Sequence, residues 1–290
     1  MKFWQAVSFT EPEQLVEIAK IAEEVGFDGI LVSDHLFFPE KLVSRYPYTP
    51  DGVPGFTPET AWPDPFALVG AMSSVTRRLR FATMVYILPL RNPLEVAKAT
   101  ATLDVLSGGR FILGVGAGWM KEEFDQLGVD FRTRGVRFDE SIEVLRKLWS
   151  GGMVEHHGRF FDFPRLQMSP PPGQSVPIYV GGASDAALRR AAKRGDGWLG
   201  NGSDPAEASR ILGELARLRR AAGRERLAFE AVVPLTTPPD PDVLRRLEDQ
   251  GAHGTVSYPF MYALGPTSTL AEKRRYLEGY AETVIRKARR

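Results

Sequence analysis

The sequence predicts an α/β fold: a single closed (β/α)8 TIM barrel with a long insertion after strand 2. Short β-rich apolar runs alternate with longer helical patterns down the whole chain, the signature of parallel strands joined by helical crossovers. Eight strand-helix units can be counted, and no linker divides them, so residues 1–290 are expected to form one domain. A doubly wound open sheet alternates in the same way, and periodicity does not separate the two. The closed barrel is the more economical reading of eight unbroken units.

The elements follow in order. Phe3 to Phe9 reads as strand one, and Thr10 with Glu13 three residues on reads as a capping box opening a helix to about Val25. Gly29 to Ser33 is strand two. Leu36 to Pro63 shows neither period and is rich in Pro, Gly and aromatics, so it reads as an excursion of the kind that covers a barrel's site. Asp64 to Thr76 is a helix, and Leu79 to Tyr86 is strand three. Asn92 and Pro93 then set a cap and a first helical residue for a helix to about Leu106. Arg110 to Val115 is strand four, followed by helical stretches Lys121 to Leu127 and Arg134 to Trp149. A Pro-rich passage leads to strand five at Pro177 to Val180, helix Ser184 to Arg194 and strand six at Gly197 to Gly200. Asp204-Pro205-Ala206-Glu207 is a third Pro-containing capping box, after Thr10 to Glu13 and Asn92 to Glu95, opening a helix to about Ala222. Leu227 to Pro234, Asp240 to Gln250, Gly254 to Tyr258 and Ser268 to Ala288 complete strand, helix, strand and helix.

Composition removes several classes of function. The formal net charge is +1 with no basic cluster beyond the helical run Arg210 to Arg226, so nucleic-acid binding is not expected. With no cysteine, disulfides, thiolate nucleophiles and Cys-ligated zinc are impossible. No stretch approaches the roughly 20 apolar residues of a membrane span, and no signal sequence opens the chain; a cytoplasmic protein is expected.

Chemistry-bearing residues gather where strands should end. Ser33-Asp34-His35 closes strand two, and barrel sites are built at the C-terminal ends of strands. A histidine there, with a carboxylate beside it, can move a proton near neutral pH, or can simply hold a neighbouring carbonyl. Gly114-Val115-Gly116-Ala117-Gly118-Trp119 follows strand four and admits either a close ligand or a tight turn. The dinucleotide fingerprint is excluded, because Trp119 stands where its third glycine belongs. Gly181-Gly182-Ala183-Ser184 opens a helix after strand five, where bare amides and the positive helix end favour a phosphate over a plain cap. Gly200-Asn201 after strand six can close the same pocket. His156, His157 and His253 show no ligand spacing, so no metal is expected, and a Gly-x-Ser-x-Gly elbow is absent. The aromatics Phe37, Phe38, Tyr46, Tyr48, Phe56, Trp62, Trp119, Phe260 and Tyr262, with Met261, fall in rim segments; about half are expected only to pack the excursion onto the barrel, and the cluster suggests a substrate more apolar than a sugar phosphate.

At this point a resemblance is evident. Leu90-Arg91-Asn92-Pro93, Ala101-Thr102-Leu103-Asp104-Val105-Leu106-Ser107-Gly108-Gly109-Arg110 and Leu113-Gly114-Val115-Gly116-Ala117-Gly118-Trp119 stand in an order and spacing similar to the luciferase-like flavin monooxygenases and deazaflavin-dependent oxidoreductases. Ser33-Asp34-His35, Val176 to Gly182 and Gly195-Asp196-Gly197-Trp198 agree, so the likeness covers nearly the full chain. It implies a (β/α)8 barrel, commonly a homodimer, holding a flavin or deazaflavin at its C-terminal mouth and acting on a small molecule. Coenzyme F420 is the first expectation, with hydride transfer to or from a small apolar substrate. An FMN-dependent monooxygenase, a non-catalytic flavin-binding barrel and, most remotely, a metal-dependent hydrolase are the alternatives.

By the same resemblance His35 is the catalytic residue and Asp34 its coenzyme-side neighbour. A non-proline cis peptide in strand three is expected near Met84-Val85, which with Thr83 would back the ring. Gly116, Ala117 and Gly118 would approach the coenzyme, Gly181, Gly182, Ala183 and Ser184 would cradle its phosphate, and Gly200 and Asn201 would complete the site. Phe37, Trp119 and Tyr258 would line the substrate pocket. In the sugar-phosphate dehydrogenase branch a Trp stands four residues beyond the histidine and a Glu directly follows the glycines. Here those positions are Pro39 and Trp119, which argues against glucose 6-phosphate as substrate.

Overall fold

A computed structural model describes residues 1–289. The strands are β1 (Lys2–Ala6), β2 (Gly29–Val32), β3 (Arg80–Thr83), β4 (Tyr86–Ile87), β5 (Phe111–Gly116), β6 (Val154–His157), β7 (Asp162–Leu166), β8 (Ile178–Gly181), β9 (Gly197–Leu199), β10 (Glu230–Val233) and β11 (Gly254–Ser257). Eight of them close a parallel ring in the order β1, β2, β3, β5, β8, β9, β10, β11. Closure is carried by two pairings, Trp4↔Val256 between first and last strand and Ala82↔Ile112 between β3 and β5. The ring therefore has no free edge, which the open-sheet alternative would have left.

Two apolar layers hold the cylinder. Phe3, Ile30, Phe81, Phe111, Leu113, Ile178 and Val233 point outward into the layer shared with the helices, among them α1 (Leu15–Val25), α2 (Pro65–Ser74), α3 (Pro93–Ser107), α4 (Lys121–Gln126), α5 (Arg134–Leu148), α6 (Asp185–Arg194) and α7 (Pro205–Ala221). Their neighbours Trp4, Leu31, Ala82, Ile112, Tyr179, Leu199 and Val232 fill the interior, as period-two alternation requires. Trp4 occupies so much of it that a Cβ on Gly29 would lie 2.2 Å from its ring, so glycine is required where β2 begins. At the N-terminal floor Glu230 pairs with Arg80 at 3.0 Å and with Lys2 at 2.5 Å.

Local signals place most helix starts. The side chains of Asp64, Asn92, Ser184 and Asp204 all accept N–H bonds from the first turns of α2, α3, α6 and α7. Asp204 caps alone, because Glu207 turns to Arg210 instead of closing the box. The Thr10 box does not form: Thr10 donates to Ser8 O, and the chain enters α1 through a 3-10 turn at Pro12–Gln14. The reciprocal box of this chain is Thr269 with Glu272, opening the helix Leu270–Tyr280.

Three further features bear on the site; the cis peptide and the excursion are as expected, and the hairpin is not. Strand three is interrupted, its halves β3 and β4 separated by a cis Met84-Val85 peptide. The segment read as merely Pro-rich contains an antiparallel hairpin, β6 with β7, in which His156 is buried and His157 exposed. Residues 33–64, the excursion, carry no helix or strand.

Candidate active site

Because every ring strand runs the same way, His35, Met84-Val85, Gly116–Trp119, Gly181–Ser184, Gly200-Asn201 and Tyr258 all lie at one mouth of the barrel. His35 is the best-defined chemical group there. Its side chain is 10% exposed, and its Nδ1 lies 3.2 Å from Glu123 Oε1, a carboxylate held at 2% exposure in α4. The same oxygen accepts the Leu36 N–H at 2.8 Å. An oxygen already accepting an amide proton is set to accept again, so Nδ1 donates and Nε2 is left as the bare nitrogen. Glu123 is absent from the sequence reading. The available signal was a Lys121-Glu122-Glu123 helix start directly after the glycine loop, but nothing local aims either carboxylate. The carboxylate beside His35 thus comes four residues after Trp119, not at that position.

Asp34 serves the frame of the site. Its carboxylate is buried, accepts the Ile87 N–H at 3.0 Å and takes both bonds of Arg91 Nη2 at 3.0 and 3.1 Å. Burial pushes its pKa up, against the Arg91 charge and the Ile87 amide, which pull it down. Only its backbone remains to face a ligand. Thr83 is likewise committed, fully buried and donating to Gly114 O at 2.6 Å. Ser33 Oγ donates to Met84 O at 3.2 Å, tying strand two to the bulge.

The glycines divide into two kinds. A Cβ on Gly116 or on Gly181 would come within 2.5 Å of a Val85 methyl, so these two glycines seat Val85 between β5 and β8. Gly118 similarly makes room for Ile87 and Phe124, and Ala117 beside it is half-buried. The Gly182 loop is different. Gly182 has φ +104°, donates to Leu199 O at 3.1 Å and accepts from Trp198 Nε1 at 2.8 Å, so the turn is fixed from two sides. Beyond it the N–H groups of Ala183 and Ser184 have no acceptor among the described residues, and they open the ten-residue helix α6. Those amides could hold an anion. Asp185 in the first turn opposes this, but it is exposed and 3.9 Å from Arg189. Gly200 is buried, Asn201 is exposed, and the Tyr258 hydroxyl lies 2.8 Å from where a Cβ on Gly202 would stand.

Aromatic rings surround the His35 imidazole: Phe56 and Trp62 at 5.0 Å and Trp119 at 5.8 Å between centroids. Phe37 makes no ring contact among the described residues; Phe38 instead packs edge-on against Phe56 at 5.8 Å. Phe260 is buried in the core and packs edge-on against Tyr276. Of the remaining histidines, His156 is buried between Glu140 and Lys147, His157 meets Asp162 at the surface, and His253 accepts from the Ala231 N–H. A groove of about 410 Å³ lies at the other end of the barrel, but most of its cations are paired, Arg146 with Asp196 and Arg194 with Asp139, and no group with acid-base geometry faces it.

Residues 4–282 match the family described as luciferase-like monooxygenase. The chain belongs to that family. This luciferase-like protein is 42% identical over 289 residues to an uncharacterized protein of Mycobacterium tuberculosis, covering 99% of this chain and 100% of the other. It is 30% identical over 248 residues to an F420-dependent glucose-6-phosphate dehydrogenase of Gordonia bronchialis, covering 82% and 68% of the two chains. Among solved structures it resembles an F420-dependent secondary alcohol dehydrogenase (TM-score 0.76, 19% identity, 100% of both chains). A monooxygenase from Streptomyces bottropensis is equally similar (TM-score 0.76, 21% identity, 99% of both chains). At these identities the structures share the fold. Among the described residues no helix is long and apolar enough to cross a membrane.

Proposed function

We propose that this luciferase-like oxidoreductase acts as one domain over residues 1–290, using coenzyme F420 at its mouth to convert a small neutral substrate between alcohol and carbonyl levels. The observation that carries the reading is the coincidence at one rim of a bare imidazole nitrogen with a fixed partner and of the unpaired amides after β8. The relative named as F420-dependent supports the choice of coenzyme.

The residues fit such a group. Ala183 and Ser184 would take its phosphate, with Gly181 and Gly182 shaping the turn, while Met84, Val85, Gly116, Ala117, Gly118, Gly200 and Asn201 would border its ring. When bound, a deazaflavin supplies acceptance or return of a hydride at carbon. His35 Nε2 takes the proton of a substrate hydroxyl, or returns one to a carbonyl oxygen. Glu123 holds the imidazole in the tautomer with Nδ1 protonated and stabilises the charge that forms when Nε2 also takes a proton. Trp119, Phe56 and Trp62 exclude water from that transfer.

The test is a pair of titrations, F420 and FMN, followed by quenching of each ring's fluorescence. Saturable 1:1 binding of F420, with turnover lost but binding kept in His35→Ala, is the expected result. Tight FMN binding with no F420 binding overturns the reading and points to a reduced-FMN monooxygenase.

A further inference from the structure

Phe9 is the one non-glycine residue with positive φ among the described residues, at 60°. A bulky side chain in the left-handed region is disfavoured and persists where its surroundings impose it, which happens most often at functional sites. Here the twist at the end of β1 delivers the Phe9 ring to the mouth, 5.4 Å from Trp62 and 6.4 Å from both Phe56 and Tyr262. With Trp119 these rings form a box, packed mostly edge to face, that meets the His35 imidazole through Phe56, Trp62 and Trp119.

Charge around the box is already spent. Arg91 is bound through Nη2 to Asp34, Lys121 to Asp125, and Arg45 donates to a backbone carbonyl, so these three cations are already engaged. Glu123 is committed to Leu36 and His35, so it is not a free counter-charge for an ammonium ligand. Burial pushes the Tyr46 phenol up to about 12, so its hydroxyl stays neutral. Among the buried polar atoms without a partner, which include Arg91 Nη1 and Glu122 Oε2, one belongs to a ring of the box. Trp62 Nε1 is buried without a hydrogen-bond partner among the described residues, and an orphaned buried donor is costly.

We propose that Phe9, Phe56, Trp62, Trp119 and Tyr262 form the substrate box, that its ligand is a neutral, planar, aromatic or conjugated ketone or aldehyde, and that Trp62 Nε1–H donates to the ligand oxygen. This rests on the oxidoreductase reading for its chemistry, though not for its binding. Aromatic walls favour a planar π system over an aliphatic one of equal area through edge-to-face contact. The orphaned donor demands an acceptor and fixes which end of the ligand stands beside His35. In this structure the rings pack against one another, and the gap beside Phe9 and Trp62, lined also by Val7, Leu15 and Leu68, is only about 20 Å³, room for one water. The ligand therefore displaces excursion rings, and the segment that must yield is the one without helix or strand.

Binding of 1-indanone and of indane, measured by ligand-observed NMR titration, separates shape from hydrogen bonding. Trp62→Phe keeps a ring and removes the donor; it weakens 1-indanone about fivefold, the share of one neutral hydrogen bond, and changes indane by less than twofold. Phe9→Leu weakens both ligands. An equal loss of the two ligands in Trp62→Phe, no loss of either, or preferential binding of glucose 6-phosphate or choline by the wild type overturns the proposal. An F420 titration on the same variants keeps the two readings apart. Absence of F420 binding with the indanone pattern intact sinks the coenzyme and leaves the box. Normal F420 binding with that pattern missing does the reverse.

Discussion

Replacing Glu123 by glutamine isolates charge from shape at the His35 pair. The amide oxygen can keep accepting from the Leu36 N–H at 2.8 Å and from His35 Nδ1 at 3.2 Å, so the loop and the imidazole stay in place. What disappears is the negative charge, at a position only 2% exposed, where water cannot replace it. A hydrogen bond to a charged group is worth about 1.5–3 kcal/mol and a neutral one about 0.5–1.5. The difference, roughly 1–1.5 kcal/mol, acts only when His35 becomes an imidazolium, so kcat falls about tenfold while KM holds. Steady-state kinetics on the F420-loaded enzyme reads this, with thermal unfolding in parallel. Glu123→Ala is the comparator: it orphans the Leu36 N–H at about 1–3 kcal/mol and lowers Tm by several degrees. If Glu123→Gln turns over within twofold of wild type while the alanine variant is unstable, the carboxylate only fastens the loop and the account of His35 fails.

Other consequences are as direct. Arg91→Met leaves Asp34 buried without its partner and should cost about 3–5 kcal/mol in urea unfolding, part of which Asp34→Asn in the same chain restores; additive losses would show the pair uncoupled. Gly182→Ala forces a Cβ onto φ +104° and to 3.3 Å from Ala187, so coenzyme affinity and Tm should both fall; unchanged affinity in titration would remove this loop from the phosphate site. Burial tends to raise the pKa of Glu230, but Lys2 and Arg80 outweigh it and hold the carboxyl below its ordinary value of 4.5. A depressed folded pKa stabilises above the unfolded value and loses that stability as pH falls through the folded one. Glu230→Gln should therefore be less stable at pH 7 and show a shallower acid branch below about pH 4.5 in a pH series of thermal melts. An acid branch of unaltered slope would contradict the floor cluster's contribution.

Several residues of the site were legible in the chain and others were not, for a physical reason. The caps at Asp64, Asn92, Ser184 and Asp204 are contacts within three residues, so sequence displays both partners together. Thr10 failed by the same local rule, because Pro12 at the first position of a 3-10 turn moved the helix start to Leu15. The hairpin of β6 and β7 was hidden by Pro164 and by charged residues on its exposed face, which blur a period of two.

Alternation alone determined that this chain makes parallel strands with helical crossovers, strand ends carried His35 and the Gly181–Ser184 turn, and the family resemblance pointed to Met84-Val85 within strand three. Only the tertiary structure decided that Glu123, 88 positions away, fixes the imidazole, that Arg91 neutralises Asp34, and that Phe9 packs on Trp62 of the excursion. Such contacts follow from ring closure and from the path of a segment without periodicity. Neither is encoded in any short window, because the partners meet only after eight strands have closed and the excursion has folded across their ends.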